Sequence, residues 1–551
     1  MNTSRAAFEQ MLKRRTSRRL AMKSGFAAGA AGLLGVSFRG APTRVFARQA
    51  ATPEATPVDL TGVPSARFGA YPFQLGVASG EPLPNGVVLW TRLAPAPFDD
   101  DGMDPIPYDL QWEVARDEAF GEIVQIGSAV ADPNLAHSVH VDVTGLDPYT
   151  EYFYRFMVGD EVSQVGRTKT APERGQAIDA LRFGFASCSN YERGYFVAYR
   201  DMAEQRFDVT FHLGDYIYEY AANDYNVREP ENLRLHTGGE TIALQDYRNR
   251  FAQYHTDPDL QAVRESAPMV VTWDDHEVDN NYANDIPESA DDVSDFLLRR
   301  ADAYQAYYEH MPLRPWSMPV GPDMTLYRSL TFGDLMEVTV LDTRQYRDDQ
   351  PSGDGLFPRT PASQDATMLG HDQERWLLDK LANSTSTWNV MAQQVNFADA
   401  YFQVPGEQVI DFYNDSWTGY PAARQRILQH LADAQVSNPV VLTGDIHTSW
   451  ATDLKVDWDD PAAPAVASEY ICTSITAGGL APSDFLQGYE EGFDYIRFFD
   501  PNHGGYTAVE VTNDLWRSDY YLVDNMEQYD SGVSHLATWI TERDNPGVQE
   551  G

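Results

Sequence analysis

The sequence predicts a layered α/β core preceded by a smaller N-terminal β-sandwich domain, and three observations carry this expectation. Short strand-like runs separated by turns fill residues 67–172, with no helical period between them. From residue 178 onward, apolar strand runs alternate with amphipathic helices, the rhythm of a layered α/β domain. Several of these later strands end in carboxylate, imidazole, thiol or phenol side chains, which places chemistry at the carboxyl edge of a sheet. The 551 residues allow three or four domains at most. A hydrophobic fraction of 43% with 12% aromatics excludes a disordered chain. The formal charge of -41 argues against nucleic acid as a structural partner. No apolar run reaches 18 residues, so no stable membrane span is expected. Two cysteines, Cys188 and Cys472, make no disulfide scaffold.

Taken in order, the first element is a targeting segment. Residues 1–47 hold nine of the 41 basic residues and one acid, Glu9. Ser17-Arg18-Arg19-Leu20-Ala21-Met22-Lys23 precedes a weakly apolar run from Gly25 to Phe38, and Val45-Phe46-Ala47 suits a signal peptidase. The arginine pair resembles a twin-arginine export signal, which implies passage of the folded chain through that machinery and a secreted, periplasmic or cell-surface location. Residues 48–66, rich in Ala, Thr and Pro, read as a linker. In 67–172 the strands are Val87–Trp90, Leu110–Val114, Ser138–Val143 and Glu151–Met157. Leu146-Asp147-Pro148-Tyr149-Thr150-Glu151-Tyr152 resembles the tyrosine corner of immunoglobulin-like and fibronectin-type sandwiches. His137 and His140 lie in or beside one of these strands and are read as packing or exposed residues.

In 178–551 the expected strands are Leu181–Ala186, Asp208–Leu213, Met269–Trp273, Leu335–Leu341, Asn389–Ala392 and Pro439–Thr443. Helices at 295–311 and 372–383 intervene, the second with Trp376, Leu377 and Leu381 on one face. Four strand ends carry the chemistry. They are Ser187-Cys188-Ser189-Asn190, Gly214-Asp215-Tyr216-Ile217-Tyr218-Glu219, Asp274-Asp275-His276-Glu277 and Gly444-Asp445-Ile446-His447. Each alone is a weak or moderate signal, because a buried cysteine is usually packing and an acidic turn is usually solvated. All four, each following a β run, point to a metal cluster. Ser534–Arg543 reads as a strand, so no C-terminal helix is expected over the site.

The order of these motifs resembles the calcineurin-like metallophosphoesterases, and more closely the PhoD-like alkaline phosphatases. Leu341-Asp342-Thr343-Arg344-Gln345-Tyr346 adds a fifth match. The resemblance implies a layered β-sandwich metallophosphoesterase core flanked by helices, and one ferric iron with calcium. The implied iron ligands are Cys188, Asp215, Tyr218 and His447. Asp215 is implied to bridge to calcium, with Asp275 and Asp445 as its further ligands. An amide ligand is expected after the Asn389–Ala392 strand, with Gln393 as the candidate and Gln394 close behind. His276 is expected to contact phosphate or protonate the leaving group. The implied reaction is attack of a metal-activated hydroxide on a small-molecule phosphomonoester. A phosphodiesterase or phospholipase D-like activity on the same metals is the alternative.

Overall fold

Apolar strands bounded by helices bury both of their faces, and the computed structural model shows where they go. It describes residues 66–98, 100–224, 233–288, 295–403, 410–478 and 489–551. The expected export signal at 1–47 and the linker residues 48–65 lie outside the described residues.

Every residue is buried in the strands Val209–Leu213, Met269–Thr272, Met336–Val340, Trp388–Ala392 and Pro439–Thr443. Such unbroken burial belongs to parallel strands covered on both sides. Val209–Leu213 runs parallel to Ala180–Ala186 and to Met269–Thr272 in a ten-stranded sheet. Trp388–Ala392 runs parallel to Met336–Val340 and Pro439–Thr443 in a seven-stranded sheet. The two sheets face each other across one apolar cluster. Phe183, Phe211 and Val270 of the first meet Val338, Val390 and Leu442 of the second.

Helices cover the outer faces. Leu244–His255, Pro258–Ser266 and Phe296–His310 pack on the first sheet through Phe251, Leu260 and Tyr304. Gly370–Asn383 and Pro421–Asp433 cover the second through Leu377, Leu381 and Ile427. The result is a four-layered core of helix, sheet, sheet and helix.

The N-terminal part is a sandwich that shares a sheet with this core. Val77–Leu83, Gly86–Arg92 and Ser138–Thr144 extend the ten-stranded sheet, with Gly80 paired in parallel to Met269. A five-stranded sheet centred on Tyr108–Ala115 and Glu151–Val158 packs on that extension through Leu110, Tyr154 and Phe156. The Asp147 backbone N–H donates to the Tyr152 hydroxyl at 2.9 Å, the geometry of a tyrosine corner. At the other edge, Val533–Glu542 and Asn545–Glu550 complete the same sheet. Among the described residues no α-helix follows Asp433.

Candidate metal centre

Six parallel strands end at one edge of the two facing sheets, and their next residues form the site. Cys188 follows Ala180–Ala186, and Asp215 follows Val209–Leu213. Asp274, Asp275 and His276 follow Met269–Thr272, and Arg344 follows Met336–Val340. Gln393 to Asn396 follow Trp388–Ala392, and Asp445 with His447 follow Pro439–Thr443. Two glycines let these ends crowd together. A Cβ on Gly214 (φ +105°) would lie 2.5 Å from the Asp274 Cβ, and one on Gly444 would lie 2.6 Å from the Ser187 hydroxyl. Glu277 ties two loops, accepting from the backbone N–H of Asp215 at 3.1 Å and of Asp274 at 2.8 Å.

Four candidate ligands adopt left-handed backbone: Cys188, Asp215, Asp445 and His447, with φ between 54° and 62°. Non-glycine residues pay roughly 1 kcal/mol or more for this conformation, and they gather where function requires it.

The donor atoms fall into two groups that share Asp215. Ligand atoms of Cys188, Asp215 and His447 lie within 4.8 Å of one another. The Tyr218 hydroxyl joins them, 3.0 Å from Asp215 Oδ2 and 3.3 Å from His447 Nε2. Carboxylate oxygens of Asp215, Asp274, Asp275 and Asp445 form the second group at the same spacing. His276 lies within that spacing of Asp215 and Asp275. Its Nδ1 is 2.7 Å from Glu219 Oε2, and its ring stacks on Tyr218 with centroids 4.2 Å apart. All of these side chains are buried, Asp445 being the most open at 8% exposure.

This crowding leaves the centre short of positive charge. Burial raises the Asp215 carboxyl well above the usual range, His276 opposes the shift, and Asp275, Glu277 and Asp445 add to it. Burial likewise raises the Cys188 thiol, with help from Asp215 and Asp445. Asp275 differs: burial pushes it up, but Arg344 and His276 outweigh burial and hold it below its ordinary value. Asp215 Oδ1 and Asp274 Oδ2 are buried without a hydrogen bond, and Asp275 Oδ1, also without one, faces the Arg344 guanidinium at 3.4 Å. Buried carboxylate oxygens without donors are the state that a bound cation relieves. Thiolate, phenolate, imidazole and carboxylate on one side and carboxylates alone on the other fit a transition metal beside a hard, oxygen-seeking cation.

Gln393, the expected amide ligand, has partners at both ends of its amide. Its oxygen accepts from Trp417 Nε1 at 3.0 Å, and its nitrogen donates to Val395 O and Thr443 Oγ1 at 2.7 and 2.6 Å. Gln394 is occupied in the same way by Thr272, Leu341 and Thr343. The next amide on this loop, Asn396, is 1% exposed, and neither end of its amide makes a hydrogen bond. Its signal in the sequence was a third amide two residues beyond Gln394. Sequence reasoning also passed over Asp274 as a member of the carboxylate group, and Arg344, whose guanidinium pairs with Asp274 and lies 3.4 Å from Asp275 Oδ1. Both cysteines are free, and Cys472 packs in the core between the sheets.

The chain as a whole is similar to known proteins. The family model described as PhoD-like phosphatase matches residues 183–520, and that of the PhoD-like phosphatase N-terminal domain matches 58–172. Alkaline phosphatase D of Bacillus subtilis (strain 168) is 48% identical over 488 residues, spanning 88% of this chain and 83% of the relative. A solved structure described as the structure of PhoD superposes with a TM-score of 0.85 at 47% identity, covering 88% of this chain and 93% of that one.

Proposed function

The chain belongs to the PhoD-like phosphatase family, and from that premise we propose a secreted alkaline phosphatase that hydrolyses phosphomonoesters with ferric iron and calcium. The observation that carries this reading is the meeting of Cys188, Asp215, Tyr218 and His447 with Asp275 and Asp445 at one sheet edge. The first four would hold the iron, and Asp215, Asp275 and Asp445 would hold the calcium. Asn396, the amide without hydrogen bonds on the loop after Trp388–Ala392, replaces Gln393 as the candidate amide ligand. When bound, the metals supply Lewis acidity toward the phosphoryl oxygens and the attacking water.

The chain's own residues do the rest. The donor side chains are buried, so their charges act on a bound phosphate with less screening than surface charges would. Glu219 holds Nδ1 of His276 and stacking on Tyr218 holds the ring, which directs Nε2 as the proton-transfer atom. Burial disfavours the charged ring, and the carboxylate of Glu219, which is no candidate metal ligand, leads the groups that raise its pKa above the ordinary value. The His276 proton passes to the leaving oxygen as the P–O bond breaks. Export through the twin-arginine machinery completes the reading, resting on Arg18, Arg19 and Lys23. No helix among the described residues is long and apolar enough to cross a membrane.

The test is optical. Tyrosinate and thiolate on ferric iron give a visible charge-transfer band, so the purified protein should be coloured. Tyr218→Phe should lose or strongly shift the band while staying folded. A colourless, iron-free and fully active wild-type protein contradicts the ligand assignment.

A further inference from the structure

Behind the carboxylate group runs a buried chain of alternating charge, of which only Arg344 belongs to a motif read from the sequence. Arg344 donates from Nε to Asp274, lies 3.4 Å from Asp275 Oδ1 and reaches back 2.8 Å to Asp415 Oδ2. Asp415 Oδ1 in turn accepts from Arg347 at 2.7 Å. Arg344, Arg347 and Asp415 have no solvent exposure. Gln350 Nε2 donates to Asp415 Oδ1 at 2.6 Å and to the Asn281 carbonyl at 2.8 Å. With its amide oriented to pair donors with acceptors, Asn281 bridges Asp275 Oδ2 at 3.1 Å and Asp415 Oδ2 at 3.2 Å. Arg347 is itself anchored on the Tyr420 hydroxyl at 3.1 Å.

Resting on the reading of Asp275 as a calcium ligand, we propose that Asp415 and Arg347 are positioning residues that set calcium affinity through Arg344. Arg344 faces three acids, Asp274 and Asp275 in the carboxylate group and Asp415 behind it. What it gives to Asp415 it withholds from Asp275, and the charge left on Asp275 is what a calcium ion finds. Arg347 divides the charge of Asp415 in the same way, one step further out. Between side chains without solvent exposure such fixed charges act with little screening. The chain therefore makes a prediction of sign. Removing the Asp415 charge throws Arg344 wholly onto Asp274 and Asp275, and calcium binds more weakly. Removing the Arg347 charge leaves Asp415 to draw Arg344 back, and calcium binds more tightly.

The experiment titrates calcium into EGTA-stripped full-length protein by calorimetry, with iron content and melting temperature measured on each sample. Asp415→Asn should weaken calcium binding at least tenfold, and Arg347→Gln should strengthen it severalfold, with iron retained in both. Shifts of the same sign, no shift in either variant, or loss of iron in step with calcium overturns the proposal, because a merely structural role moves both metals together. If Asp415→Asn does not fold, Arg347→Gln decides alone, and weaker or unchanged binding overturns it. A wild-type protein that binds no calcium removes the calcium reading itself, a failure distinct from a wild type that binds calcium but lacks the two opposite shifts.

Discussion

At the scale of single residues, His276 separates two roles that share one geometry. A histidine whose Nδ1 is held by a carboxylate serves equally as a metal ligand and as a proton donor. As a general acid, His276→Ala should slow alkyl phosphates by 10²-fold or more (roughly, for a proton transferred in the transition state). Nitrophenyl phosphate, whose leaving oxygen needs little protonation, should lose much less, with iron and calcium unchanged. Loss of metal instead identifies a ligand, and equal slowing of both substrates identifies a residue that only positions phosphate. How much of the site the sequence revealed follows from the same distinction. Cys188, Asp215, Asp275, Asp445 and His447 were legible because each ends a buried strand, so position in the chain implied position in space. Gln393 and Asn396 were not separable, because the direction of an amide on a loop is set by partners such as Trp417, far away in sequence. The pairing of Asp274 with Arg344 was hidden for the same reason, the two lying 70 residues apart.

At the scale of elements, the site depends on strand ends that approach more closely than side chains ordinarily permit. Gly444→Ala places a methyl group against Ser187, next to Cys188, on the facing sheet. We expect a destabilisation of about 1–3 kcal/mol and a shifted charge-transfer band. An unchanged band and melting temperature would show that the two ends yield freely. Another contact joins the strand Ser138–Thr144 to the helix Phe296–His310. His140 stacks on Tyr308, and its Nε2 lies 2.9 Å from the Tyr308 carbonyl and 3.0 Å from that of Met311. Burial lowers its pKa to about 4, against the raising effect of those carbonyls. A folded pKa below the unfolded one means that the unfolded chain binds more protons, so stability is full above about 6.5 and falls as pH drops toward 4. Between pH 7.5 and 5 this histidine should account for about 2 kcal/mol of lost stability. Urea unfolding of His140→Gln should show a correspondingly shallower loss over that interval, and an identical slope contradicts the assignment. Elements of this kind were readable as strands and helices. Their partners were not, since nothing local to His140 names Tyr308.

At the scale of the whole molecule, the N-terminal sandwich is built into the core. Its strands continue the ten-stranded sheet, Trp90 Nε1 donates to the Glu309 carbonyl at 2.9 Å, and Arg328 and Arg314 reach back to Glu81 and Asp142. A chain shortened to 178–551 uncovers the Met269–Thr272 edge and buried arginines, and should aggregate on expression. Soluble, active protein with the full-length melting temperature contradicts this. The rhythm of strands foretold the layers, but strand order depends on crossovers between distant segments, so the shared sheet was not legible. The central claim is that the strand-end cluster is an iron- and calcium-dependent phosphatase centre, and metal analysis with phosphomonoester hydrolysis on one purified sample tests it most directly. The account predicts bound iron and calcium, with activity abolished by EGTA and restored by calcium. Full activity in protein holding neither metal, or restoration by zinc but not by calcium, contradicts it.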